Sequence, residues 1–385
     1  MSAAHLPLAG LRCVEIGTSV AAPYATWILA ALGMDVVKVE PRGRGDDCRQ
    51  WGAIFEDGRG SYFEALNRDK RGITVDLRDD DEREWLRGYC ADHADVVLQN
   101  LRAGTLEGYG LGAADLIARN KRIIYCNLRA FGAAGPLQDK PGYDPLMQAF
   151  GGVMSVTGEE GQAAIRVGTS IIDMGTGMWC AIGVLASLYR RHETGLGAVV
   201  DASLYETSLA WMTNPVATVQ ASGKEPGKSG SGMIGIAPYQ AYPCSDGELV
   251  VAAPNDRLYA KLCDVLGHPE WVEDERFVTN QLRYQNLAEL NAALGSVFKT
   301  ETRDFWQVAL DKTGVPSAPV RRVSEVMREP QTEALGILQS LPDSTRALMG
   351  MPLSFNGERP PLRSWAPTLG EHDDAVRAEA SSDDD

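Results

Sequence analysis

The chain has 385 residues, 44% hydrophobic and 23% charged, which is typical of a globular protein with more than one core. Its formal net charge of −15 argues against nucleic acid as a partner, because such binding surfaces are basic. The seven cysteines are scattered along the chain and form no C-x-x-C pair, which predicts reduced thiols and no metal site. No apolar run approaches the roughly 18 residues of a membrane span, so we expect a cytoplasmic protein that does not bind membranes.

The first half of the chain alternates β-rich runs with helical patterns. Strands are predicted at 11–16, 35–40, 73–76, 95–98 and 122–126, with helices at 24–32, 80–92 and 113–120. This alternation predicts a large α/β domain with a doubly wound, mostly parallel sheet. Ligands of such sheets bind beyond the carboxyl ends of the strands, so the loops there are the first places to seek a site.

Neither common nucleotide fingerprint is present. The first strand is followed by Gly17 alone, without the G-x-G-x-x-G of dinucleotide-binding folds. Gly43 and Gly45 follow the second strand but lead into Asp46 and Asp47 rather than into a helix. The Walker pattern is also missing, which argues against phosphoryl transfer by that route.

The second half of the chain differs from the first in composition and in its pattern of predicted elements. A long apolar helix is predicted at 174–192, then a strand at 198–203 and another helix at 204–222. A Gly/Ser/Lys-rich stretch at 222–235 is typical of a loop or linker. A hairpin and amphipathic helices follow, which predicts domains over 1–224 and 225–325, the second one smaller and α+β, and a C-terminal part over 326–385 with a disordered acidic tail.

Asp173 is the residue most in need of an explanation, because it follows two isoleucines and precedes a Gly-x-Gly at the start of the long helix. An unpaired carboxylate buried there would be costly. One interpretation is a helix N-cap, which an aspartate suits well. The other is a carboxylate nucleophile, with Gly175 and Gly177 allowing a thioester to approach the backbone.

An ordered series of segments over about residues 6–340 resembles the class III CoA-transferases, the family of formyl-CoA transferase and carnitine CoA-transferase. The matching segments are 7–11, 21–23, 32–41, 45–46, 62–77, 95–100, Gly104, Leu111, 131–144, 236–242, 255–257 and 314–320. The resemblance implies that Asp173 attacks an acyl-CoA thioester and forms anhydride and aspartyl-CoA intermediates. It also implies that CoA moves to a small organic acid, which we expect to be dicarboxylic, with no cofactor beyond the CoA thioester.

The same resemblance implies an interlocked homodimer whose C-terminal part returns to the large domain, and it places the substrate contacts. Expected CoA or acyl contacts are Val20, Ala21, Arg42, Val75, Asp76, Leu77, Arg78, Asn100, Leu101, Arg102, Lys140, Tyr143 and Asp144. The match is incomplete, since a family arginine falls on Pro41, another basic contact falls on Gly108, and Val20 replaces a glutamine found in some members. For Tyr143 and Asp144 the alternative is a simple turn.

The glycine loop with Gly230, Gly232 and Gly235 resembles the family's flexible loop over the intermediate, and a plain linker is the alternative. Two further functions remain open at this point. A 2-methylacyl-CoA racemase of the same fold needs a second base, but the segment where members carry histidine here reads Gly-Tyr-Asp at 142–144. A non-catalytic acyl-CoA-binding protein would not need the acid at 173.

Overall fold

The computed structural model describes residues 5–342 and 344–382, with side chains up to residue 380. The chain divides into a large unit of 1–153, 167–216 and 330–385 and a small unit of 154–166 and 217–329. The small domain predicted at 225–325 falls within the small unit. That unit also takes in the segments 154–166 and 217–224, which the sequence predicts to be part of the large domain, and 326–329, which it predicts to be part of the C-terminal segment. Most of the predicted acidic tail lies outside the described residues.

The large unit contains a six-stranded sheet in the described part of the chain, and every pairing within it is parallel. Its strands are β1 (Arg12–Ile16), β2 (Asp35–Pro41), β3 (Arg71–Val75), β4 (Val96–Gln99), β5 (Ile124–Arg129) and β6 (Ala198–Ser203). Their order is β3-β2-β1-β4-β5-β6, which confirms the predicted doubly wound α/β sheet. The order reverses between β1 and β4, and ligands bind beyond the strand ends at such a point.

Helices cover both faces of this sheet because each strand between two layers carries apolar side chains on both sides. The helices in this part of the chain are α1 (Ala21–Ala31), α2 (Ser61–Asn67), α3 (Asp80–His93), α4 (Thr105–Gly108), α5 (Ala113–Arg119), α6 (Asp144–Phe150), α7 (Ile171–Thr194), α8 (Leu204–Trp211) and α9 (Thr213–Ser222), of which α9 continues into residues of the small unit. Residues of α1 and α7 form the core of one face. Residues of α3 and α5 form the core of the other.

The helix α7 corrects one sequence prediction. By length and composition alone it could cross a membrane, with a mean hydropathy of 1.6 over its most apolar stretch, of which 39% is buried inside the protein. The statement that no apolar run approaches that length was therefore wrong. Its buried side chains, including Ile172, Cys180 and Val184, belong to the sheet core, which is the ordinary reason for an apolar helix in a folded domain.

The C-terminal segment returns to the large unit with α15 (Pro330–Ala334), β10 (Leu338–Gln339), β11 (Leu348–Met349) and α16 (Asp373–Ser382). Val376 of α16 joins the core of the α3 face. In addition, Asp373 accepts hydrogen bonds from the backbone and side chain of Thr74 in β3. The C-terminal segment is thus tied to the sheet by both packing and hydrogen bonds.

The small unit has an antiparallel sheet of β7 (Tyr239–Cys244), β8 (Gly247–Ala252) and β9 (Ser317–Pro319). Its helices are α10 (Asp256–Leu266), α11 (Asn280–Gln285), α12 (Leu287–Phe298), α13 (Arg303–Thr313) and α14 (Val323–Val326). The helices and the sheet share one apolar core, built around side chains such as Tyr242, Leu262 and Phe298. The unit therefore has the α+β character predicted for the small domain.

Candidate active site

Asp173 lies in the first turn of α7, where it is partly buried and borders a cavity. The helix begins at Ile171, and Ser170 at the cap position makes no side-chain hydrogen bond to the helix. Asp173 is therefore inside the helix rather than its N-cap, and the N-cap interpretation is wrong. The Asp173 side chain is therefore not used to cap the helix.

The capping carboxylate comes from Asp144, the first residue of α6. Its Oδ2 accepts hydrogen bonds from the backbone N–H of Ile172 at 2.7 Å and of Asp173 at 3.3 Å. Asp144 is 2% exposed, and it faces the α7 backbone instead of lining the cavity. The expected contact between Asp144 and the acyl group is therefore replaced by a structural contact with the helix that carries Asp173.

Burial and, to a smaller extent, the negative charge of Asp144 together raise the pKa of Asp173 to about 7. Both causes disfavour the charged form. At neutral pH the side chain is thus divided between carboxylate and acid. A carboxylate with so high a pKa is more basic than a solvated aspartate and is typical of a functional group held in a cleft.

The two glycines beside Asp173 serve helix packing. A Cβ on Gly177 would lie 2.8 Å from the backbone oxygen of Ala21 in α1. A Cβ on Gly175 would lie 2.8 Å from the ring of Trp211 in α8. The prediction that these glycines admit a thioester to the backbone is wrong, because their open sides are filled by α1 and α8. They bring those helices close to α7.

The cavity that Asp173 borders has a volume of about 310 Å³ and lies where the strand order reverses. The loop after β1 and the loop after β4 form two of its walls. Of the expected contacts, Val20, Ala21, Asn100, Leu101, Arg102, Lys140 and Tyr143 line it. The structure thus brings to one cavity residues that are up to about 150 positions apart in the chain.

A second cavity, of about 420 Å³, opens beyond the ends of β1, β2 and β3. It is lined by the remaining expected contacts, namely Arg42, Val75, Asp76, Leu77 and Arg78, and again by Leu101. Thr18 and Leu101 border both cavities, so the two are neighbours along the same edge of the sheet. Together they form a long surface along that edge.

The cations of this surface differ in their partners. In the second cavity Arg78 is bound to Asp76 at 2.9 Å and Arg42 to Glu82 at 2.5 Å, and both arginines are exposed. The Arg78 guanidinium lowers the pKa of Asp76 to about 2. In the first cavity Arg102 and Lys140 are exposed to solvent. Exposed cations of this kind can exchange a protein carboxylate for a phosphate.

Sequence reasoning missed several residues of the first cavity. Trp51, Arg129, Gln138 and Asp139 line it but were not expected to. Arg129 is the last residue of β5, and the predicted strand stopped three residues earlier, at 126. Applying the strand-end rule with the longer strand would have found it. Trp51 carries no comparable local signal.

The loop after β1 is held in place by buried side chains. Asn100 accepts a hydrogen bond from the Thr18 N–H at 2.9 Å and donates one back to the Thr18 oxygen. Ser19 has a left-handed backbone with φ of 70°, and its N–H donates to Asp46 at 3.1 Å. A non-glycine residue in this region is strained unless its surroundings hold it. The contacts of Asn100 therefore shape the cavity wall.

Beneath that loop lies a group of buried charges. Glu15 binds Lys38 and Lys70, each at 2.8 Å, and Lys38 also binds Asp46 at 3.0 Å and the Gly17 oxygen at 2.8 Å. Both lysines hold the pKa of Glu15 at about 2 against the opposing effect of its burial. Burial lowers the pKa of Lys70 to about 8. The four charges balance one another, which a buried ionic group requires.

The glycine loop belongs to the small unit, and its own contacts are well defined. Gly230 has φ of 58° and its N–H donates to the Gly158 oxygen at 2.9 Å. Lys228 donates to the oxygens of Gln162 and Ala163. Gly235 has φ of 81°, whereas Gly232 has no left-handed backbone. The loop is thus anchored to the segment 154–166.

Across residues 5–342 and 344–382, no group of three or more His, Cys, Asp or Glu side chains is arranged to hold a metal ion. The two cavities are bordered by the cations Arg42, Arg78, Arg102 and Lys140 and by several carboxylates, of which Asp173 has a raised pKa. Such a set can bind an anionic, extended ligand and present one carboxylate to it.

Comparison with known proteins identifies the family. Residues 8–373 match the model described as CoA-transferase family III. The chain is 37% identical to an acyl-CoA transferase of Fusarium pseudograminearum over 98% of this chain and 85% of that protein. It is 31% identical to the succinyl-CoA:glutarate CoA-transferase of Homo sapiens over 98% and 87%.

Among solved structures, a CAIB/BAIF family protein from Brucella suis has a TM-score of 0.90 and 38% identity, over 97% of this chain and 99% of that one. The structural match covers the large sheet unit as well as the small unit. The family match, the identities and the shared fold agree over nearly the whole chain. The chain therefore belongs to CoA-transferase family III and is a CoA-transferase.

Proposed function

We propose that this CoA-transferase uses the carboxylate of Asp173 as a covalent nucleophile and moves CoA from an acyl-CoA to a small dicarboxylic acid. The observation that carries the proposal is the position of Asp173, a partly buried carboxylate with a raised pKa on the wall of the first cavity. A group of this kind is basic enough to attack a thioester and is ionised in a sufficient fraction at neutral pH.

The reaction balances without a cofactor. The Asp173 carboxylate attacks the thioester carbonyl, which forms a mixed anhydride and releases CoA thiolate. The thiolate then attacks the aspartyl carbonyl, which forms aspartyl-CoA thioester and releases the first acid. The second acid attacks that thioester to give a new anhydride and thiolate, and the thiolate attacks the new acyl carbonyl. The new acyl-CoA departs and the Asp173 carboxylate is restored.

Each tetrahedral intermediate carries an oxyanion that needs hydrogen-bond donors. The side chain of Val20 cannot donate, and the N–H groups of Thr18 and Ser19 already bind Asn100 and Asp46. The first turn of α1 begins at Ala21 on the cavity wall, and the N–H groups of Ala21 and Ala22 have no partner within the helix, while Pro23 carries none. The positive end of this helix supports oxyanion stabilisation beside Asp173.

The two adjoining cavities support an extended path for CoA. Its phosphates carry negative charge and suit the exposed Arg42, Arg78, Arg102 and Lys140, while the thioester must reach Asp173. The choice of a dicarboxylic acid rests on the related human enzyme, whose name gives succinyl-CoA and glutarate as substrates. A screen of acyl-CoA donors against a panel of acids, read by mass spectrometry, tests this choice.

The central experiment is incubation with donor acyl-CoA alone. We expect an adduct of CoA mass on the peptide that contains Asp173, removable by hydroxylamine, and no adduct or transfer in Asp173→Asn, because an amide cannot form the anhydride. Loss of a nucleophile typically costs several orders of magnitude in rate. Transfer at wild-type rate in the variant, or an adduct on another residue, would reject the mechanism. A racemase or a passive binder would form no adduct.

The glycine loop is proposed as a lid that limits hydrolysis of the anhydride. The left-handed backbone of Gly235 permits a conformation that alanine reaches only with strain, and nothing crowds the position. Gly235→Ala should raise CoA release with donor alone relative to CoA transfer. Gly227→Ala is the matched control, because Gly227 lies in the same stretch without a left-handed backbone. An equal ratio in both variants would favour a plain linker.

A homodimer is also proposed. Met178, Trp179 and Ile182 lie along one side of α7 and are 44–50% exposed, and Trp211 of α8 adjoins Trp179. Contiguous exposed apolar side chains commonly mark a protein interface. Light scattering coupled to size-exclusion chromatography should give twice the chain mass, and Trp179→Glu should lower it or cause aggregation. A monomeric wild-type protein would end this proposal.

A further inference from the structure

A second carboxylate, that of Asp144, is fixed next to the proposed nucleophile. Besides accepting the N–H groups of Ile172 and Asp173, it accepts the side-chain amide of Gln148 through Oδ1 at 2.6 Å. Gln148 is itself fully buried and accepts the N–H of Val167 at 2.8 Å. Three donors and the positive end of α7 stabilise negative charge on Asp144 without neutralising it by a cation.

Other charged or titratable groups occur on the elements around the first turn of α7. Tyr24 of α1 contacts the open side of Gly177, and Glu206 of α8 is bound to Ser203. The cavity walls add Arg102, Arg129, Asp139, Lys140 and Tyr143. Within the described residues, Asp144 is the charged group that raises the pKa of Asp173, and its effect adds to that of burial.

We infer that Asp144 is a positioning residue that displaces Asp173 from its charged resting form toward its uncharged covalent forms. This inference rests on the proposed function, because it concerns the intermediates of that mechanism. The Asp144 carboxylate accepts the backbone N–H of Asp173, which keeps it next to the residue that carries the proposed nucleophile.

The physical reason is that acylation and protonation both remove the negative charge of Asp173. In the anhydride and in the aspartyl-CoA thioester the side chain is neutral, so the repulsion from Asp144 is relieved, as it is when Asp173 binds a proton. The charge of Asp144 therefore multiplies the equilibrium constant for forming either intermediate. It multiplies the affinity of Asp173 for a proton by a similar factor.

The size of that factor is bounded by the structure. Burial is the larger cause of the rise in the pKa of Asp173 from 3.8 to about 7, and Asp144 is the smaller. Less than half of that rise corresponds to a factor below about fortyfold in proton affinity. We expect Asp144→Asn to reduce the equilibrium fraction of covalent enzyme by roughly three- to thirtyfold.

The test compares wild type with Asp144→Asn, in which the amide oxygen can still accept the Ile172 N–H. Two quantities are measured by peptide mass spectrometry: the equilibrium fraction of Asp173 carrying CoA with donor alone, and the pH dependence of Asp173 modification by a water-soluble carbodiimide. We expect the adduct fraction to fall and the inflection of the modification profile to move to lower pH by a matching factor. Asp264→Asn, which removes an exposed carboxylate on α10 of the small unit, should move neither quantity.

The outcomes separate the inference from the proposed function. If wild type forms no adduct on Asp173, the proposed mechanism fails, while the carbodiimide profile still measures the action of Asp144. If wild type forms the adduct and Asp144→Asn changes neither the adduct fraction nor the inflection, the inference is overturned. If Asp144→Asn does not fold, Asp144→Ser, which keeps a hydroxyl acceptor near the α7 backbone, carries the same comparison.

Discussion

Replacing Asp173 by asparagine should make the folded protein more stable at pH 8 while abolishing transfer. The side chain is partly buried, and burial together with Asp144 raises its pKa from 3.8 to about 7. Because the folded state binds the proton more tightly than the unfolded chain, ionising Asp173 lowers the free energy of unfolding. Asparagine has nearly the same size and carries no charge, so this loss is absent from the variant.

The magnitude follows from the two pKa values. Ionisation of Asp173 does not affect the free energy of unfolding below about pH 4. It lowers this free energy progressively as the pH rises from 4 to 7, and the full loss is present above that range. At about 1.4 kcal/mol for each tenfold change in proton affinity, the full rise corresponds to about 4 kcal/mol. Since asparagine also loses hydration on burial, we expect a net gain of about 2–4 kcal/mol at pH 8. The gain should vanish near pH 4.

The assay is the difference in thermal midpoint between Asp173→Asn and wild type across pH 4–8. A gain of this size raises the midpoint by several degrees in a domain of this length, by about 2–4 °C for each kcal/mol. Asp139→Asn is the matched control, because Asp139 is an exposed carboxylate in the same cavity and should show no such pattern. A pH-independent difference, or a variant less stable than wild type at pH 8, would refute the reasoning.

Two further predictions concern CoA binding and helix packing. The double variant Arg78→Ala/Lys140→Ala should bind CoA more weakly than wild type and with a smaller dependence on salt, as measured by calorimetry at two ionic strengths. The control Arg276→Ala, in the small unit, should bind CoA as wild type does. Equal affinity in wild type, the double variant and the control would show that Arg78 and Lys140 do not contact CoA. Gly177→Ala should lower the free energy of unfolding by about 1–3 kcal/mol, because its Cβ would meet the Ala21 oxygen at 2.8 Å. Gly88→Ala in α3 has room and should raise it by about 0.5–1 kcal/mol, so equal changes in denaturant midpoint would contradict the packing argument.

The sheet could be predicted from the sequence because its information is local. Each strand is a short apolar run, and the runs alternate with helical patterns closely enough to define the doubly wound class. The predicted helix at 204–222 was less accurate, since the chain breaks at Met212 between α8 and α9. Pro215 in the first turn of α9 accounts for that break, because a proline cannot donate a hydrogen bond to the carbonyl of Trp211, four residues earlier.

The site was only partly predictable for a related reason. Asp173 stood out because a carboxylate between apolar residues at a helix start is unusual. The carboxylate that caps the helix, Asp144, lies 28 positions before Ile172, and no local pattern links the two. Likewise, the partners of Gly175 and Gly177 are on helices whose positions depend on the whole fold. The sequence was sufficient to assign a chemical role to a single residue such as Asp173. The contacts of that residue could be identified only from the structure.

The balanced charges beneath the loop after β1 limit how this enzyme can change. Replacing Glu15 alone would leave Lys38 and Lys70 in an apolar interior with too little negative charge, and replacing either lysine would leave an excess of it. Laboratory evolution that accumulates one substitution at a time should therefore leave these buried charges unchanged. Substrate preference should change through substitutions at the exposed residues of the cavities, and a change among the buried charges should require compensating pairs such as Glu15→Leu with Lys70→Met.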